Sequence, residues 1–321
     1  MNAAVVESFD ALPRYATFAD PVPGTGELLV EVSAAGLHPV VRALASGQHY
    51  GSSADFPFVP GVDGVGRLAD GSRVYFGAIH PPFGSFAQRS LTAPDRLLRL
   101  PDSLDDATAA AIMNPAMSSW AALAHRAHFQ PGESVLIQGA TGAAGRLAVQ
   151  ICRRLVASRI VATGRDPHAL DEFRSLGADA IIPLAQDREA LVSAYRAEFA
   201  AHNIDVILDY LWGAPAEALL DAISRKGLAH AAPRIRYIQI GSAAGPTISL
   251  PAATLRSSGL ELLGSGFGSA SLEEIFSSLA AFLKEAAKQP FSMKIKIVAL
   301  KDVETAWNSP SSDARLVFQP S

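Results

Sequence analysis

The sequence contains almost no cysteine and little charge of either sign. Its 321 residues include a single cysteine, Cys152, which excludes an internal disulfide framework and every zinc site built from several thiolates. It has 27 Lys and Arg against 31 Asp and Glu, so it lacks the basic excess of a protein that binds nucleic-acid backbones. Charged residues make up 18% and hydrophobic residues 49% of the chain, which favours a large folded core over a disordered segment.

Long apolar runs are missing as well. The most apolar stretch, from Ala107 to Ala124, is interrupted by Asn114, Pro115, Ser118 and Ser119, so it is too short and too polar to span a bilayer. The first ten residues carry two acidic residues and no basic residue, which argues against a secretory signal. We therefore expect a cytoplasmic protein with no membrane and no nucleic-acid partner, and its length predicts two cores.

The pattern of strand-like and helix-like segments changes near residue 125 and again near residue 259. Before the first change, short β-like runs such as Leu28–Val32 and Val74–Phe76 are separated by turn signals. Residues 125–258 alternate strand-length and helix-length segments, and residues 259–321 return to a mixed pattern. We therefore predict a β-rich domain made of residues 1–124 and 259–321, with an α/β domain inserted between them.

The inserted part has the pattern of a doubly wound parallel sheet. Its strand-length runs are apolar throughout, as in strands that helices cover on both faces. The predicted strands are Val135–Gln138, Ile160–Thr163, Ala180–Ile182, Val206–Leu208 and Tyr237–Ile240, and the predicted helices are Gly142–Ala157, Pro167–Leu176, Asp187–Ala200 and Pro215–Ser224.

A glycine-rich loop follows the first of these strands. The dinucleotide fingerprint G-x-G-x-x-G aligns with Ala140, Gly142 and Gly145, between a buried strand and an amphipathic helix. Gly142 lets the backbone approach a pyrophosphate, Gly145 lets the helix pack close to the strand, and the helix N-terminus supplies N–H donors. The predicted cofactor contacts in this loop are Ala140, Thr141, Gly142, Ala143, Ala144 and Gly145.

The end of the second strand selects between NADPH and NADH. The fingerprint has an acidic residue about 20 positions on, which binds the ribose 2′-hydroxyl. Here Thr163 and Gly164 are followed by Arg165, whose guanidinium suits a 2′-phosphate. We therefore predict NADPH, contacted by these three residues. In the alternative interpretation, Arg165 is a solvated residue and Asp166 binds the ribose.

Four further segments carry a resemblance to a known family. They are Gly36–Pro39, Phe56–Gly66, Ala93–Asp102 and Gln130–Gly142, of which the last is the most specific. Together they resemble the medium-chain dehydrogenases/reductases over essentially the whole chain. The resemblance implies a GroES-like β-rich catalytic domain plus a Rossmann domain. It also implies a homodimer joined along the Rossmann edge near Leu260–Gly264.

The branch of this family is indicated by missing zinc ligands. Zinc alcohol dehydrogenases carry a Cys and a His-Glu pair where this chain has His38 and Val62-Asp63, and a catalytic zinc needs three protein ligands. The chain thus resembles the zinc-free quinone oxidoreductase branch. The resemblance implies NADPH-dependent hydride transfer to a quinone or an α,β-unsaturated carbonyl, with no metal. An enoyl-thioester reductase and a non-catalytic NADPH-binding protein are the alternatives.

The resemblance also nominates residues outside the glycine loop. Tyr50 lies where relatives have a tyrosine that contacts nicotinamide or acts on the substrate, and a phenol can donate to a developing oxyanion; a packing role is the alternative. His38 either bonds a carbonyl or the ribose, or holds the active-site turn. Ser118 lies where relatives have a nicotinamide-contacting threonine, unless it caps a helix. The remaining predicted cofactor contacts are Gly241, Ser242, Gly264, Ser265 and Gly266.

Overall fold

The computed structural model describes residues 1–77, 81–224, 233–309 and 314–320. They form two compact units: unit 1 comprises Met1–Pro115 and Leu279–Ser321, and unit 2 comprises Ala116–Ser278. Both boundaries fall inside helices rather than at the predicted positions 125 and 259. The second differs because residues 259–264 pair with the parallel sheet of unit 2.

The described residues form the following elements. The strands are β1 (Asn2–Val5), β2 (Arg14–Thr17), β3 (Leu28–Gly36), β4 (Asp63–Arg67), β5 (Arg73–Gly77), β6 (Arg89–Thr92), β7 (Leu97–Arg99), β8 (Ser134–Gln138), β9 (Arg159–Gly164), β10 (Ala180–Pro183), β11 (Val206–Asp209), β12 (Arg234–Gln239), β13 (Gly259–Gly264), β14 (Ile295–Ala299) and β15 (Arg315–Gln319). The helices are α1 (Pro39–Ala45), α2 (Asp106–Ala121), α3 (Ala143–Arg154), α4 (Pro167–Leu176), α5 (Arg188–Ala201), α6 (Gly213–Ile223), α7 (Ala252–Ser257), α8 (Leu272–Lys288) and α9 (Val303–Ala306).

Unit 1 is built on a mixed seven-stranded sheet with the order β14–β15–β3–β4–β5–β7, in which β6 also pairs with β3. Its pairs are antiparallel except for β14 with β15, and β1 and β2 form a separate hairpin. Buried aromatic side chains, among them Phe86, Trp307 and Phe318, fill its core. The chain leaves β3 and enters α1 at Pro39, because proline suits the first position of a helix, where its missing N–H is not needed.

Unit 2 is built on a six-stranded parallel sheet with the order β10–β9–β8–β11–β12–β13. The structure confirms the five predicted strands as β8 to β12 and the four predicted helices as α3 to α6, with ends shifted by a few residues. The edge strand predicted near Leu260–Gly264 is β13, which pairs in parallel with β12, although the predicted domain boundary at 259 assigns it to the other domain.

The strand order of unit 2 defines where a ligand can bind. The chain runs from β8 outward to β9 and β10, then returns to build β11, β12 and β13 on the other side. Loops leaving β8 and β11 therefore diverge, which opens a crevice at the carboxyl edge of the sheet. Within the described residues, no helix is long and apolar enough to cross a membrane.

Candidate cofactor site

The glycine loop lies at this crevice, and its glycines have different reasons to be there. A Cβ on Gly145 would lie 2.4 Å from the Gly139 carbonyl oxygen and 2.6 Å from the Ala140 Cα, so no larger residue fits without moving the backbone. A Cβ on Gly142 would have only the Gly139 oxygen nearby, at 3.7 Å. Gly145 thus permits the close packing of α3, whereas Gly142 leaves open space in front of the helix.

The first turn of α3 offers unpaired backbone donors to that open space. Gly142 is the N-cap and has no side chain to cap the helix, and the first turn contains no acidic residue. The N–H groups at the start of a helix have no partner within it and carry partial positive charge. The N–H groups of Ala143, Ala144 and Gly145 are therefore suited to binding an anion such as a pyrophosphate.

Thr163 and Gly164 hold the glycine loop against the end of β9. The Gly139 N–H donates to the Thr163 hydroxyl at 3.2 Å, and the Ala140 N–H donates to the Thr163 carbonyl at 2.7 Å. A Cβ on Gly164 would lie 2.5 Å from the methyl carbon of Thr141. Thr163 and Ala140 are both fully buried. These two predicted cofactor contacts therefore support the loop from its buried side.

Arg165 is exposed immediately after β9 and has no hydrogen-bond or ion-pair partner among the described residues. The neighbouring Asp166 is the N-cap of α4, and its Oδ1 accepts from the His168 N–H at 2.9 Å. One carboxylate oxygen of Asp166 is therefore committed to the helix. This arrangement favours Arg165 over Asp166 as the group available to a ligand.

The loops after β12 and β13 complete the carboxyl edge. The Gly241 N–H donates to the Asp209 carbonyl at 3.1 Å, and the Gly264 carbonyl accepts from Arg126 Nε at 2.8 Å. The Ser265 N–H donates to the Gln239 carbonyl at 2.8 Å, and the Gly266 N–H donates to Ser269 at 2.7 Å. A cleft of about 430 Å³ lies here, lined by Trp212, Gln239, Ser242, Pro246, Leu262, Leu263 and Gly264. The predicted residues of these two loops thus share one edge.

Ser118 lies inside α2 and not at its end, so the structure excludes the helix-cap alternative. Its neighbour Ser119 is fully buried, and Ser119 Oγ lies 2.7 Å from the Tyr210 hydroxyl. Ser118 is only partly buried. Burial raises the pKa of Tyr210, so its phenol stays protonated.

Two residues that the sequence analysis did not single out shape this edge. Asp209 ends β11, and its carboxylate accepts from the N–H groups of Leu211 and Trp212 and from the Tyr237 hydroxyl at 2.6 Å. Burial raises the pKa of Asp209. Tyr210 follows it directly. A polar residue at the end of an apolar strand was the available signal, because strand ends at this edge face the crevice.

In unit 1, the structure places Tyr50 and His38 in different surroundings. The Tyr50 side chain is 77% exposed and contacts the His49 ring at a centroid distance of 4.1 Å, which rules out a packing role within this unit. His38 is 1% exposed and is the N-cap of α1, with its Nε2 3.4 Å from Asp63 Oδ1. Asp63 also accepts from the Tyr75 hydroxyl at 2.5 Å. Neither ring nitrogen has a hydrogen-bond partner among the described residues and the side chain does not cap α1, so His38 supports this turn by packing and not by hydrogen bonding.

Metal-ligating and nucleophilic groups do not assemble in the part of the chain that the structure describes. Nowhere in that part do three His, Cys, Asp or Glu side chains come together in a group able to hold a metal ion. Cys152 is buried in α3, and burial raises the pKa of its thiol to about 12, so it stays a neutral core residue.

Comparisons with known proteins agree with this geometry. The family model described as "Zinc-binding dehydrogenase" matches residues 143–285. A quinone oxidoreductase of Pongo abelii is 33% identical over 154 residues, which cover 45% of this chain and 46% of that protein. The alignment thus spans less than half of that relative. The probable NADPH-dependent quinone reductase tdiC of Emericella nidulans is 25% identical, with 100% of both chains covered.

A solved structure extends the agreement to the fold. The quinone oxidoreductase of Thermus thermophilus, which was determined alone and in complex with NADPH, is 25% identical to this chain. The superposition has a TM-score of 0.81 and covers 99% of this chain and 100% of that one. Together with the parallel sheet and its glycine loop, these similarities place the chain in the medium-chain dehydrogenase/reductase superfamily, in its quinone oxidoreductase-like branch.

Proposed function

We propose that this protein is a zinc-independent, NADPH-dependent oxidoreductase that transfers a hydride to a quinone or an α,β-unsaturated carbonyl. The observation that carries the proposal is the uncapped N-terminus of α3, which follows Gly142 at the crevice of the parallel sheet. The names of the similar proteins, a quinone oxidoreductase solved with NADPH and a probable NADPH-dependent quinone reductase, support the same cofactor and acceptor.

The residues at the carboxyl edge fit a dinucleotide with a 2′-phosphate. The open space beside Gly142 admits a pyrophosphate, and the N–H groups of Ala143, Ala144 and Gly145 neutralise its charge. Arg165 provides a cation one residue beyond β9, where the fingerprint puts the adenosine ribose. Its guanidinium can form a charge-assisted, two-pronged pair with the phosphate, which NADH lacks. The loops carrying Ser242 and Gly264 then receive the nicotinamide end.

The chemistry divides between the cofactor and the protein. NADPH, when bound, supplies the hydride, so the protein's groups orient the acceptor and stabilise the charge that develops on its oxygen. Tyr50 is the group in unit 1 that suits the second task, because its phenol is exposed and can donate a hydrogen bond. His38 contributes indirectly, since its buried ring packs against Gly36 and beside Asp63 where the chain turns into α1.

Zinc independence is part of the proposal, although the matching family model is described as zinc-binding. At the positions that resemble the zinc ligands, His38 pairs with Asp63, and Asp63 is also bonded to Tyr75. Burial and the neighbouring Asp63 both raise the pKa of Tyr75, which keeps it a neutral hydrogen-bond donor. Among the described residues, two potential ligands, His38 and Asp63, meet at this position, whereas a catalytic zinc needs three.

A cofactor titration combined with an acceptor panel tests the proposal. NADPH binding is followed by fluorescence, and NADPH consumption is followed with a set of quinones, small enones and an enoyl thioester. We expect NADPH to bind more tightly than NADH and to be consumed with a quinone or an enone. Turnover restricted to the enoyl thioester would favour the thioester reductase, and tight binding without any turnover would favour a non-catalytic NADPH-binding protein.

A further inference from the structure

The segment that carries Tyr50 is folded back onto the last turn of α1. The N–H groups of Gln48 and His49 both donate to the Ala43 carbonyl, at 2.9 and 3.2 Å respectively. The Ser52 N–H donates to the His49 carbonyl at 2.9 Å. The main chain of His49, which directly precedes Tyr50, is therefore held at both its N–H and its carbonyl.

The side chain of His49 is held as well. Its Nδ1 accepts from the Gly51 N–H at 3.0 Å, and a Cβ on Gly51 would lie only 3.3 Å from the same nitrogen. Burial lowers the pKa of His49, which favours the neutral imidazole that can accept this bond. Because the lone pair of Nδ1 lies in the plane of the ring, the bond also orients that plane. The main chain two positions further on thus fixes the imidazole.

The fixed imidazole covers part of the Tyr50 ring. The two ring centroids lie 4.1 Å apart at an interplanar angle of 32°, so one face of the phenol ring lies against His49. The Tyr50 side chain is otherwise open to solvent, and an exposed side chain samples several rotamers. A hydrogen-bond donor to a developing oxyanion is effective when it is in place before the charge develops. The contact with His49 restricts the phenol in this way.

We infer that His49 is a positioning residue whose imidazole, anchored on Gly51, holds the Tyr50 phenol in the orientation from which it donates to the acceptor oxygen. The inference rests on the proposed function, because it needs Tyr50 to act on the acceptor. It requires the ring of His49 itself, and not only the hydrogen bond that closes the loop. Removal of that ring should therefore affect catalysis only through the Tyr50 hydroxyl.

His49→Asn separates the ring from the loop. The side-chain oxygen of asparagine can take the place of Nδ1 and accept from the Gly51 N–H, but no ring is left to cover Tyr50. In fluorine NMR of protein labelled with meta-fluorotyrosine, the Tyr50 resonance is the one that Tyr50→Phe removes. We expect this resonance to differ from that of the free amino acid in the unaltered protein, and to move to the free position in His49→Asn. The measurement needs neither cofactor nor acceptor.

Steady-state kinetics with an enone tests the consequence for catalysis. His49→Asn should lower kcat about tenfold and leave the KM for NADPH within about twofold, because a misplaced donor acts on the transition state and not on cofactor binding. In the Tyr50→Phe background, the same substitution should change kcat by less than about twofold, because both act through one hydroxyl.

Two further variants complete the design. His49→Ala lacks both the ring and the acceptor, so it should repeat the losses of His49→Asn, and it keeps the test open if that variant does not fold. His202→Asn is the matched control, since His202 is an exposed histidine that follows α5 in unit 2. It should leave the Tyr50 resonance and kcat unchanged.

The possible failures are distinguishable. A Tyr50 resonance that stays unchanged in His49→Asn, or a tenfold fall in kcat that persists in the Tyr50→Phe background, would overturn the inference and leave the proposed function standing. So would a rise in the KM for NADPH at constant kcat, which would mean that His49 contacts the cofactor. An effect of His49→Ala that His49→Asn does not share would assign the role to the loop and also overturn it. An unaltered protein that consumes no NADPH with any acceptor would overturn the proposed function and the inference with it.

Discussion

Arg165 is the side chain on which the choice between NADPH and NADH depends. It is exposed after β9 and has no partner among the described residues, so it is available to a phosphate. Arg165→Glu replaces a charge-assisted pair with repulsion, and we expect it to weaken NADPH binding by roughly 2–4 kcal/mol while NADH changes less. Titration of both cofactors measures this difference.

The control for Arg165→Glu is Arg174→Glu. Arg174 is exposed further along α4, and its replacement makes the same change in net charge. It should leave both affinities close to those of the unaltered protein, because exposed charges are screened over such distances. Equal weakening of NADPH and NADH by Arg165→Glu would show that Arg165 is structural.

A substitution of Tyr50 can distinguish a catalytic role from a packing role, because the side chain of Tyr50 is 77% exposed. Tyr50→Phe removes only the hydroxyl and should leave the melting temperature unchanged. If the phenol stabilises the developing oxyanion, kcat with an enone should fall roughly 10- to 1000-fold. A quinone should be less sensitive, because solvent can protonate its reduced oxygen.

Steady-state kinetics of Tyr50→Phe distinguishes the possible roles. A rise in the KM for NADPH at constant kcat would indicate that Tyr50 contacts the nicotinamide and not the substrate. Unchanged kcat and KM with a proven enone substrate would remove Tyr50 from the working site.

Side-chain environments were the part of the site that the sequence could not provide. The glycine loop and Arg165 follow from a local pattern, because the spacing of a strand, a turn and a helix is contained in one segment. The burial of His38 against Asp63 depends on contacts between β3 and β4, and the burial of Thr163 depends on the loop that packs over it. Tyr210 gained its importance only when residues far apart in sequence came together.

Within the loop that begins α3, two glycines offer a matched pair of variants. A Cβ on Gly145 would lie 2.4 Å from the Gly139 oxygen, so Gly145→Ala should lower the free energy of unfolding by about 1–3 kcal/mol. Gly142→Ala meets only an ordinary contact at 3.7 Å, so it should lower the free energy of unfolding by no more than about 1 kcal/mol, the cost of alanine at an N-cap. Its methyl would nevertheless occupy the space proposed for the pyrophosphate, so NADPH affinity should fall at least about tenfold.

Urea denaturation and NADPH titration of the same samples check both halves of this prediction. Gly268→Ala is the control, because a Cβ there has no atom within 4 Å. Normal NADPH affinity in Gly142→Ala would show that the loop does not bind the pyrophosphate, and unchanged stability in Gly145→Ala would contradict the packing role of that glycine.

Among the helices and strands, continuous apolar runs were the most predictable. Strands β8, β9 and β11 of unit 2 are almost wholly buried, and each contains an uninterrupted apolar run, Val135–Ile137, Ile160–Ala162 and Val206–Leu208. The change of unit, by contrast, falls within α8. It leaves no composition signal, because a helix continues its periodicity across such a boundary.

The open edge of β13 predicts the assembly of the protein. Leu260 and Leu262 lie on this strand, which pairs with β12 alone within the described part of the chain, and Leu262 is 37% exposed. Pairing across a two-fold axis would cover the edge, so light scattering at micromolar concentration should give about twice the chain mass of 33.7 kDa.

Charged variants test the same surface. Leu262→Lys places a charge on the open edge and should shift the protein toward the monomer. Leu12→Lys, at a 43% exposed position of unit 1, should not change the mass. A single-chain mass for the unaltered protein would contradict the predicted homodimer.

NADPH consumption by protein from which metal has been removed by exhaustive chelation tests the central claim most directly. The measurement follows NADPH in the presence of a quinone and enone panel, with the zinc content of the same sample determined by elemental analysis. The account predicts that the chelated protein contains far less than stoichiometric zinc and consumes NADPH as fast as the untreated protein. Stoichiometric zinc whose removal abolishes turnover, or NADPH binding with no consumption on any acceptor, would contradict it.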